Sequence, residues 1–303
     1  MNYLSTIRLG AAIACLCSSI LIKVSAEDGT DSSATFQFGV IADCQYCSNP
    51  GTGVRKYSMS ADKLQHCVDQ LNTCDLEYVV HLGDFIDRDF ESFDVVGPIY
   101  DRLKASKYHV LGNHDFSVID EKKMDVPRKL GLSSRYYDFA VKGWRFVVLD
   151  GNDISFHAHP KNSPEHQKAV DYYERNAIDS PDWNGAVGPE QISWLEKVLE
   201  QAAKNDEKVV LYCHFPVYPK NIHNLWNAGE IINLIERFPC VKAYLNGHNH
   251  AGNYGIKNGV HYLTFQGMVD TEENAYATIQ VYDGRLEVTG YGREESRVLE
   301  IKK

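Results

Sequence analysis

Positive charge is scarce in this sequence of 303 residues. Lysine and arginine total 31 against 41 aspartates and glutamates, so the formal net charge is -10 at pH 7. Surfaces that bind nucleic acids or anionic membranes carry stripes of basic residues, and this balance argues against both kinds of partner. Any phosphate group in a ligand would need local positive charge, which bound divalent cations would supply.

Long apolar runs are missing too, except near the N-terminus. The run at positions 9–22 is about fourteen residues long, which is shorter than the roughly 20 that span a bilayer. Arg8 precedes this run, and small residues at 24–26 follow it in a cleavage pattern. We therefore expect a signal peptide at 1–26, a mature domain at 27–303 without a membrane span, and a secreted or lumenal protein. Lys23 is unusual at this point of a leader, so an uncleaved anchor stays open.

Cysteines offer little structural constraint. Two of the eight fall in the predicted leader, and the other six are an even number that allows disulfides in an exported protein. Cys67 and Cys74, near the end of a predicted helix, are the first candidates for a pair. Cys44 and Cys213 follow apolar runs, where cysteine commonly packs as a small hydrophobic residue.

Five apolar runs predict buried strands, and they occupy positions 36–42, 78–82, 107–111, 208–212 and 241–245. Apolar residues at helical spacing predict three helices: one that begins at a capping Ser60, one at 190–203 behind Pro189, and one at 228–237. Strands that alternate with helices favour a parallel or mixed sheet with helical cover.

Other segments are β-like without helices. A hairpin that turns at Lys142-Gly143 is predicted from strands at 135–141 and 144–149. Three short strands near the C-terminus are predicted at 261–265, 275–282 and 286–291. The polar segment 151–188 is too long for an ordinary connection and predicts a functional insertion over the site. These elements fit an α/β fold in which two sheets pack face to face with helices outside.

A polar cluster follows each of the five buried strands. Because the carboxyl ends of neighbouring parallel strands meet at one edge of a sheet, we expect the clusters to converge there. Hard divalent cations bind carboxylate and amide oxygens together with imidazole nitrogens. The candidate metal ligands are Asp43, Gln45, Asp84, Asn113, His214, His248 and His250.

Seven ligands suit two ions rather than one. Two cations about 3.5–4 Å apart, bridged by a carboxylate and a hydroxide, lower the pKa of the bridging water and stabilise charge during an in-line displacement at phosphorus. Asp84 is the expected bridge. His114 and its acidic neighbour Asp115 are the expected catalytic residues, with the imidazolium oriented to protonate a leaving oxygen. Asp87 is expected to make hydrogen bonds around the ligands.

Each of these residues also has a plain structural explanation. Asp43 or Asp84 alone could cap a helix, and Asn113 alone could take a left-handed turn. These explanations give no reason for five clusters to recur at strand ends, so the joint metal site is favoured. Three aromatic residues are expected to pack rather than to stack on a ligand: Tyr46, Phe116 and Trp226. Three histidines are expected mostly at the surface, with a place in the substrate cleft open for one of them: His157, His159 and His223.

The five blocks, taken in order, resemble the calcineurin-like metallophosphoesterases, whose pattern runs D-x-H, G-D-x-x-D, G-N-H-D/E, H and G-H-x-H. The resemblance extends from Asp43 to His250, and it implies a four-layer α/β/β/α sandwich of two mixed sheets with a dinuclear centre. It also implies a role for His114 in catalysis and a ligand set for each ion. One ion would be held by Asp43, Gln45, Asp84 and His250, and the other by Asp84, Asn113, His214 and His248.

Gln45 stands where most members of that family have histidine. An amide oxygen favours Mn or Mg at this position, with Zn or Fe as the less favoured choices. The stretches 41–46, 214–219 and 225–227 resemble the manganese-dependent ADP-ribose and CDP-alcohol diphosphatase branch. That resemblance implies a hydrolase that cleaves the pyrophosphate bond of small nucleotide substrates such as ADP-ribose, CDP-choline or CDP-glycerol.

Two other functions are compatible with parts of this pattern. A phosphomonoesterase or phosphodiesterase that acts on another phosphate ester would use the same metal site. A binding module without catalysis would predict the loss of a ligand or of His114, and neither is lost. No nucleic-acid partner is expected, and a monomer is the expected oligomeric state.

Overall fold

Two six-stranded β-sheets form the centre of the computed structural model, which describes residues 35–176 and 178–301. The predicted leader at 1–26 lies outside the described residues. The strands are β1 (Phe36–Ile41), β2 (Tyr78–His81), β3 (Ser106–His109), β4 (Tyr137–Val141), β5 (Trp144–Val148), β6 (Lys208–Tyr212), β7 (Val241–Asn246), β8 (Asn253–Lys257), β9 (Val260–Thr264), β10 (Ala275–Val281), β11 (Arg285–Gly292) and β12 (Arg297–Glu300). The helices are α1 (Ser60–Leu71), α2 (Phe93–Tyr100), α3 (Asp120–Lys123), α4 (Val126–Lys129), α5 (Pro164–Arg175), α6 (Pro189–Lys204) and α7 (Ala228–Ile235), and short 3-10 helices span Tyr57–Met59, Phe90–Ser92 and His114–Phe116.

Parallel strands form one end of the first sheet and the middle of the second. The strand order is β12-β11-β10-β1-β2-β3 in the first sheet and β4-β5-β6-β7-β9-β8 in the second. Strands β1, β2 and β3 are parallel to one another, and so are β5, β6, β7 and β9, whereas β1 is antiparallel to β10, β5 to β4 and β9 to β8. The carboxyl ends of parallel neighbours meet at one sheet edge, so the loops after β1, β2 and β3 lie together, as do the loops after β6 and β7.

Aromatic side chains fill the space between the two sheets. Phe38 on β1 stacks on Tyr78 of β2 with ring centroids 4.8 Å apart, and Phe146 of β5 meets Tyr78 edge-on at 5.1 Å. The hydroxyls of Tyr78 and Tyr212 share a hydrogen bond of 2.7 Å, which satisfies both polar groups in a dry core. Burial of each such phenylalanine contributes about 1.5–3 kcal/mol to the hydrophobic stabilisation of the fold.

Helices cover the outer faces of both sheets. Helices α1 and α2 pack on the first sheet through side chains that include Leu64 and Val96. Helices α6 and α7 pack on the second through side chains that include Leu195 and Ile231. The resulting order of helix, sheet, sheet and helix confirms the α/β/β/α sandwich of two mixed sheets.

The elements agree with the sequence patterns except at a few points. The five predicted strands are β1, β2, β3, β6 and β7, but the expectation that all five are buried is wrong for β3, which is the edge strand of the first sheet and has Ser106 and Lys107 exposed. The hairpin at Lys142-Gly143 and the helix behind Pro189 are confirmed. Ser60 is the first residue of α1 and not its cap, because the 3-10 helix Tyr57–Met59 runs directly into α1. Helix α5 was missed because Ala169 is the one buried residue it contributes among those described, so it has no apolar stripe.

The expected pairing of Cys67 with Cys74 is wrong. Both are free thiols, as are the other cysteines in the described part of the chain. Cys67 points from α1 into the core, whereas Cys74 lies beyond the end of the helix and its thiol meets the carbonyl of Gln70. Two residues separated by about two helical turns are too far apart for a disulfide.

None of the helices at 35–176 and 178–301 has both the length and the hydropathy needed to cross a bilayer.

Candidate metal centre

The loops after the parallel strands hold several predicted ligands in left-handed backbone conformations. Asp43, Gln45, Asp84 and His248 have positive φ angles of 51°, 45°, 56° and 68°. Such a conformation costs of the order of 1–3 kcal/mol for a residue other than glycine and persists only where the surrounding structure fixes it. Four of these residues in adjoining loops indicate a site whose geometry is held for function.

Glycines allow the ligand side chains to approach the neighbouring loops. A Cβ atom at Gly112 would lie 2.1 Å from Oδ1 of Asp84, and one at Gly83 would lie 2.6 Å from Nδ1 of His214. Both separations are far below van der Waals contact, so only glycine fits at either position. The glycines that precede Asp84 and Asn113 in the sequence therefore have a steric cause.

Asp84, His214 and His248 form the first group of ligand atoms, which lie within 4.8 Å of one another. Nε2 of His214 is 3.2 Å from Oδ2 of Asp84 and 3.1 Å from Oδ1 of Asn113. The same nitrogen is 3.1 Å from Nδ1 of His248. All four side chains are buried, so the structure brings together the residues expected to hold one ion.

Asp43, Asp84 and His250 form the second group, whose ligand atoms also lie within 4.8 Å of one another. Nε2 of His250 is 3.5 Å from Oδ1 of Asp43, and the side-chain amide of Gln45 donates to Oδ2 of Asp84 at 2.9 Å. Asp84 belongs to both groups, which is the position of a carboxylate shared by two ions.

The donor atoms present fit a pair of divalent cations. Oε1 of Gln45 is buried and has no hydrogen-bond partner among the described residues, and an orphaned buried acceptor of this kind costs about 1–3 kcal/mol. A bound cation would satisfy it. Two carboxylates, two amides and three imidazoles form the mixed oxygen and nitrogen set that divalent metals such as Mn accept.

Hydrogen bonds fix the tautomer of each histidine in the two groups. Nδ1 of His214 donates to the carbonyl of Leu82 at 2.9 Å, which leaves Nε2 as the atom that faces Asp84 and can bind metal in the neutral form of the ring. Nε2 of His248 lies 2.9 Å from Oδ1 of Asn184, which leaves its Nδ1 free to bind. Such partners orient metal-binding imidazoles and raise their basicity.

Asp270 does the same for His250, since its Oδ1 lies 2.9 Å from Nδ1 of that ring. The loop that carries Asp270 is held by the buried side chain of Lys63, whose ammonium donates to the carbonyls of Met268, Asp270 and Thr271. Sequence reasoning missed both Asp270 and Asn184. Asp270 lies shortly after a predicted strand, which could have drawn attention to it, whereas Asn184 lies in the insertion and carries no such signal.

Asp270→Asn should weaken the binding of one of the two ions and leave the binding of the other unchanged. An asparagine would no longer provide a carboxylate to fix the tautomer and raise the basicity of His250, and losing such a partner costs about 10–100-fold in metal affinity. We expect calorimetric titration with Mn to resolve one site weakened to this extent. Glu272→Gln, on an exposed acidic side chain of the same loop, is the matched control, and equal weakening in both variants would contradict the role of Asp270.

His114 lies beside the metal groups without joining them. Its backbone N–H donates to Oδ1 of Asp84 at 2.7 Å, and Nδ1 of its ring lies 2.6 Å from Oδ1 of Asp87. The ring is 24% exposed and lines the cleft, whereas Asp87 is 4% exposed. The Asp87 carboxylate therefore orients an imidazole whose other nitrogen is available to a ligand.

Asp115 has a different position from the one expected. Its carboxylate accepts hydrogen bonds from the backbone N–H groups of Asp84, Phe85, Ile86 and Gly112, between 2.7 and 3.3 Å. It is fully buried and makes no hydrogen bond with His114 among the described residues. The expectation that Asp115 acts with His114 in catalysis is corrected: Asp115 holds the loop that carries Asp84, and Asp87 is the partner of His114.

Burial and the neighbouring carboxylates together set the pKa values of two ligand histidines, His214 and His250. Burial lowers the pKa of His214, but the carboxylate of Asp84 outweighs it and raises the pKa to about 9. Burial likewise lowers the pKa of His250, and the carboxylates of Asp43 and Asp270 raise it to about 9. Without metal, both imidazoles are therefore protonated at neutral pH.

Metal binding should release protons near neutral pH. Imidazoles bind metal in the neutral form, so His214 and His250 must each lose a proton, and we expect about two protons per chain on saturation with Mn. The apparent affinity should fall as the pH drops below about 9, because protons then compete for both rings. Calorimetry in two buffers of different ionisation enthalpy measures the release, and identical heats in both buffers would contradict it.

A cleft of about 500 Å³ opens over the two groups of ligands. Part of its wall comes from the segment 151–188, which supports the insertion predicted there. Phe156, His157, Asp182 and Trp183 contribute that part, and Arg55 contributes a positive charge from the loop after β1. The cleft therefore combines a metal-binding floor, one guanidinium and an aromatic wall.

Three histidines were expected mostly at the surface, and three aromatic residues were expected to pack in the protein. His157 and His223 both line the cleft and His159 is buried, so the expectation of surface histidines is corrected. His157 and His159 lie in the insertion, which folds over the strand ends, and His223 lies in the loop after β6. The expectation of packing is confirmed for the aromatic residues: Phe116 is buried, Tyr46 packs against the core, and Trp226 packs on Phe156 and Tyr173.

The fold and the site define a metal-dependent hydrolase built on an α/β/β/α sandwich. Residues 36–252 match the sequence profile of the calcineurin-like phosphoesterase family, and the chain belongs to that family. The chain is thus a metallophosphohydrolase with a site for two divalent ions.

Several related proteins align with most of this chain. The manganese-dependent ADP-ribose/CDP-alcohol diphosphatase of Arabidopsis thaliana is 30% identical over 86% of this chain and 96% of its own length. The protein of the same name from Homo sapiens is 28% identical over 93% of this chain and 97% of its own. A crystal structure of a dimetal phosphatase from Danio rerio superimposes with a TM-score of 0.80 at 25% identity, covering 89% of this chain and all of that one.

Proposed function

We propose that this chain hydrolyses the pyrophosphate bond of nucleoside diphosphate derivatives of the ADP-ribose and CDP-alcohol type. The observation that carries the proposal is the shared carboxylate of Asp84 between two groups of ligands, under a cleft large enough for a nucleotide. The names of the relatives point to the same substrates. The acidic chain has one arginine in the cleft lining, so bound cations must neutralise most of a diphosphate's charge.

We further propose manganese as the preferred metal. Bound divalent ions of this kind polarise phosphoryl oxygens and activate water at neutral pH. Gln45 supplies an amide oxygen where an imidazole would favour Zn or Fe, and a hard oxygen ligand favours Mn or Mg. The relatives' printed names also state manganese dependence.

His114 is proposed to hold the proton that the leaving phosphate takes. Nδ1 of the ring faces Oδ1 of Asp87 at 2.6 Å, so Asp87 fixes the orientation of the ring. Nε2 is then the atom that can donate to a leaving oxygen in the cleft. Arg55 is placed to bind the phosphate that is not attacked, since a guanidinium matches phosphate oxygens in pairs.

The test is a panel of ADP-ribose, CDP-choline, cyclic AMP and nitrophenyl phosphate, each assayed with Mn, Mg and Zn. We expect AMP with ribose phosphate from ADP-ribose, CMP with phosphocholine from CDP-choline, and the highest turnover with Mn. Release of phosphate from nitrophenyl phosphate, or of AMP from cyclic AMP, without release of AMP from ADP-ribose would favour a phosphomonoesterase or phosphodiesterase instead.

The site of action is proposed from the N-terminal sequence alone. The apolar run, Arg8 and the small residues at 24–26 support export with cleavage after Ala26. N-terminal sequencing of the protein from its native source should give a chain that starts at Glu27. A chain that retains residues 1–26 would leave the uncleaved anchor as the better interpretation.

A further inference from the structure

His157 occupies a part of the cleft wall that the steps above do not use. It belongs to the insertion between β5 and α6, and it lies on the wall above the metal centre. Nε2 of its ring is 2.8 Å from Oδ1 of Asn152. The charges of Asp84 and His114 both act on the ring, so it lies near the place where a diphosphate would bind.

The position of Asn152 determines which ring nitrogen carries the proton. Its side-chain amide donates to the carbonyl of Leu111 at 2.8 Å, and its backbone N–H donates to Oδ1 of Asp150 at 2.9 Å. With the amide nitrogen committed to Leu111, Oδ1 of Asn152 is an acceptor, and Nε2 of His157 must be the donor. A neutral ring then has a lone pair on Nδ1.

The ring is neutral at any pH at which the enzyme would work. Burial lowers the pKa of His157 to about 3, because the carboxylate of Asp84, which acts in the opposite direction, does not offset it, and the charges of His114 and Lys123 lower the pKa as well. Nδ1 makes no hydrogen bond within residues 35–176 and 178–301. The ring thus adds an uncharged acceptor to a cleft that also offers a guanidinium, an imidazole donor, cation sites and the carboxylate of Asp182.

An acceptor in this place selects for one kind of substrate group. Phosphate oxygens carry only lone pairs, so they gain nothing from Nδ1 of His157 and are held by the cations. Hydroxyl groups of a sugar or alcohol donate a proton, and they lie within a few bonds of the diphosphate. The amino group of a base also donates, but it lies at the far end of the nucleoside from the reacting phosphorus.

We propose that Nδ1 of His157 accepts a hydrogen bond from a hydroxyl of the substrate's sugar or alcohol, and so makes His157 a specificity-determining residue. This inference rests on the proposed function, because only a substrate with hydroxyls beside its diphosphate uses the acceptor. A site built to bond a hydroxyl discriminates against the analogue that lacks it.

The experiment compares substrates that differ by one donor group. The pairs are CDP-choline with deoxy-CDP-choline for the sugar, CDP-glycerol with its propanediol counterpart for the alcohol, and ADP-ribose with its analogue that has unsubstituted purine in place of adenine for the base. We expect the wild-type enzyme to prefer the hydroxylated member of the sugar or alcohol pair by about tenfold in kcat/KM, the value of one hydrogen bond. The two substrates that differ in their base should show no preference that depends on His157.

Two substitutions separate the acceptor from the packing of the ring. His157→Gln keeps an amide N–H toward Asn152 but removes the acceptor at Nδ1. The variant should therefore cleave both members of the sugar or alcohol pair with about equal kcat/KM. His157→Asn places an amide oxygen near the former Nδ1 and should retain part of the preference. His166→Gln, on the same insertion and outside the cleft lining, is the matched control and should keep the wild-type ratio.

The outcomes distinguish this inference from the proposed function. If wild-type enzyme cleaves none of the pairs, the proposed function fails and the role of His157 fails with it. If the pairs are cleaved and His157→Gln lowers both members equally, the proposed function stands and the inference is overturned. The inference is overturned as well if His157→Gln removes a preference only between the two substrates that differ in their base, because the group recognised would then be an amino group.

Discussion

Asp84→Asn should abolish the paired metal site and nearly all turnover. Oδ1 of Asp84 accepts from the backbone N–H of His114 at 2.7 Å, and Oδ2 accepts from Gln45 at 2.9 Å. An asparagine would set its own N–H₂ against one of these buried donors and would lack the negative charge that two cations share. Metals supply several kcal/mol of charge stabilisation, and a loss of about 4 kcal/mol corresponds to roughly a thousandfold in rate.

The measurement for Asp84→Asn combines metal content with kcat. Mass spectrometry of the dialysed variant should find fewer than the two Mn ions per chain expected for the wild type. Asp62→Asn, on an exposed carboxylate of α1, makes the same chemical change away from the site and should keep both ions. If Asp84→Asn retained two ions and full activity, Asp84 would not be the shared ligand.

His114→Ala should lower turnover without changing metal content. The ring contacts Asp87 and the cleft, while the contact with Asp84 comes from the backbone N–H and survives the substitution. Loss of a general acid costs typically about 10²–10⁴-fold. The loss should shrink for substrates whose leaving group is a weaker base, because these need less proton transfer.

Steady-state kinetics and metal analysis of the same preparation test this separation. His66→Ala, an exposed histidine on α1, should match the wild type in both measurements. Asp87→Asn should produce a smaller loss of kcat than His114→Ala, since the imidazole is still present but no longer oriented by a carboxylate. Unchanged turnover in His114→Ala, or a loss of metal from it, would refute the proposed role of the ring.

The convergence of the candidate ligands could be predicted because it follows from short local rules. Asp43, Asp84 and His214 each come directly after an apolar run, and the ends of parallel strands meet whatever the exact path of the helices. Strand bounds within two residues were enough for this purpose. The hard ligand chemistry then restricted the choice to carboxylates, amides and imidazoles.

The partners of those ligands could not be predicted in the same way. Asp115 is next to His114 in the sequence, but successive side chains of the 3-10 helix His114–Phe116 point in different directions. Asp87 and Asp270 reach their histidines only because loops fold back on one another. Sequence spacing carries no information about such a return.

The insertion could be located but not interpreted from its sequence. Its length and polarity showed that it is more than a connection, yet its helix α5 has hardly any apolar stripe. Asn184 and His157 gain their roles from contacts with His248 and Asn152. Those contacts depend on how the segment lies over the strand ends.

Crystals of the full chain grown with Mn, and recorded at a wavelength where manganese scatters anomalously, would locate the ions directly. We expect two anomalous peaks about 3.5–4 Å apart with the Asp84 carboxylate between them, one beside His214 and His248 and the other beside Asp43 and His250. A single peak, or two peaks that do not share Asp84, would contradict the dinuclear centre.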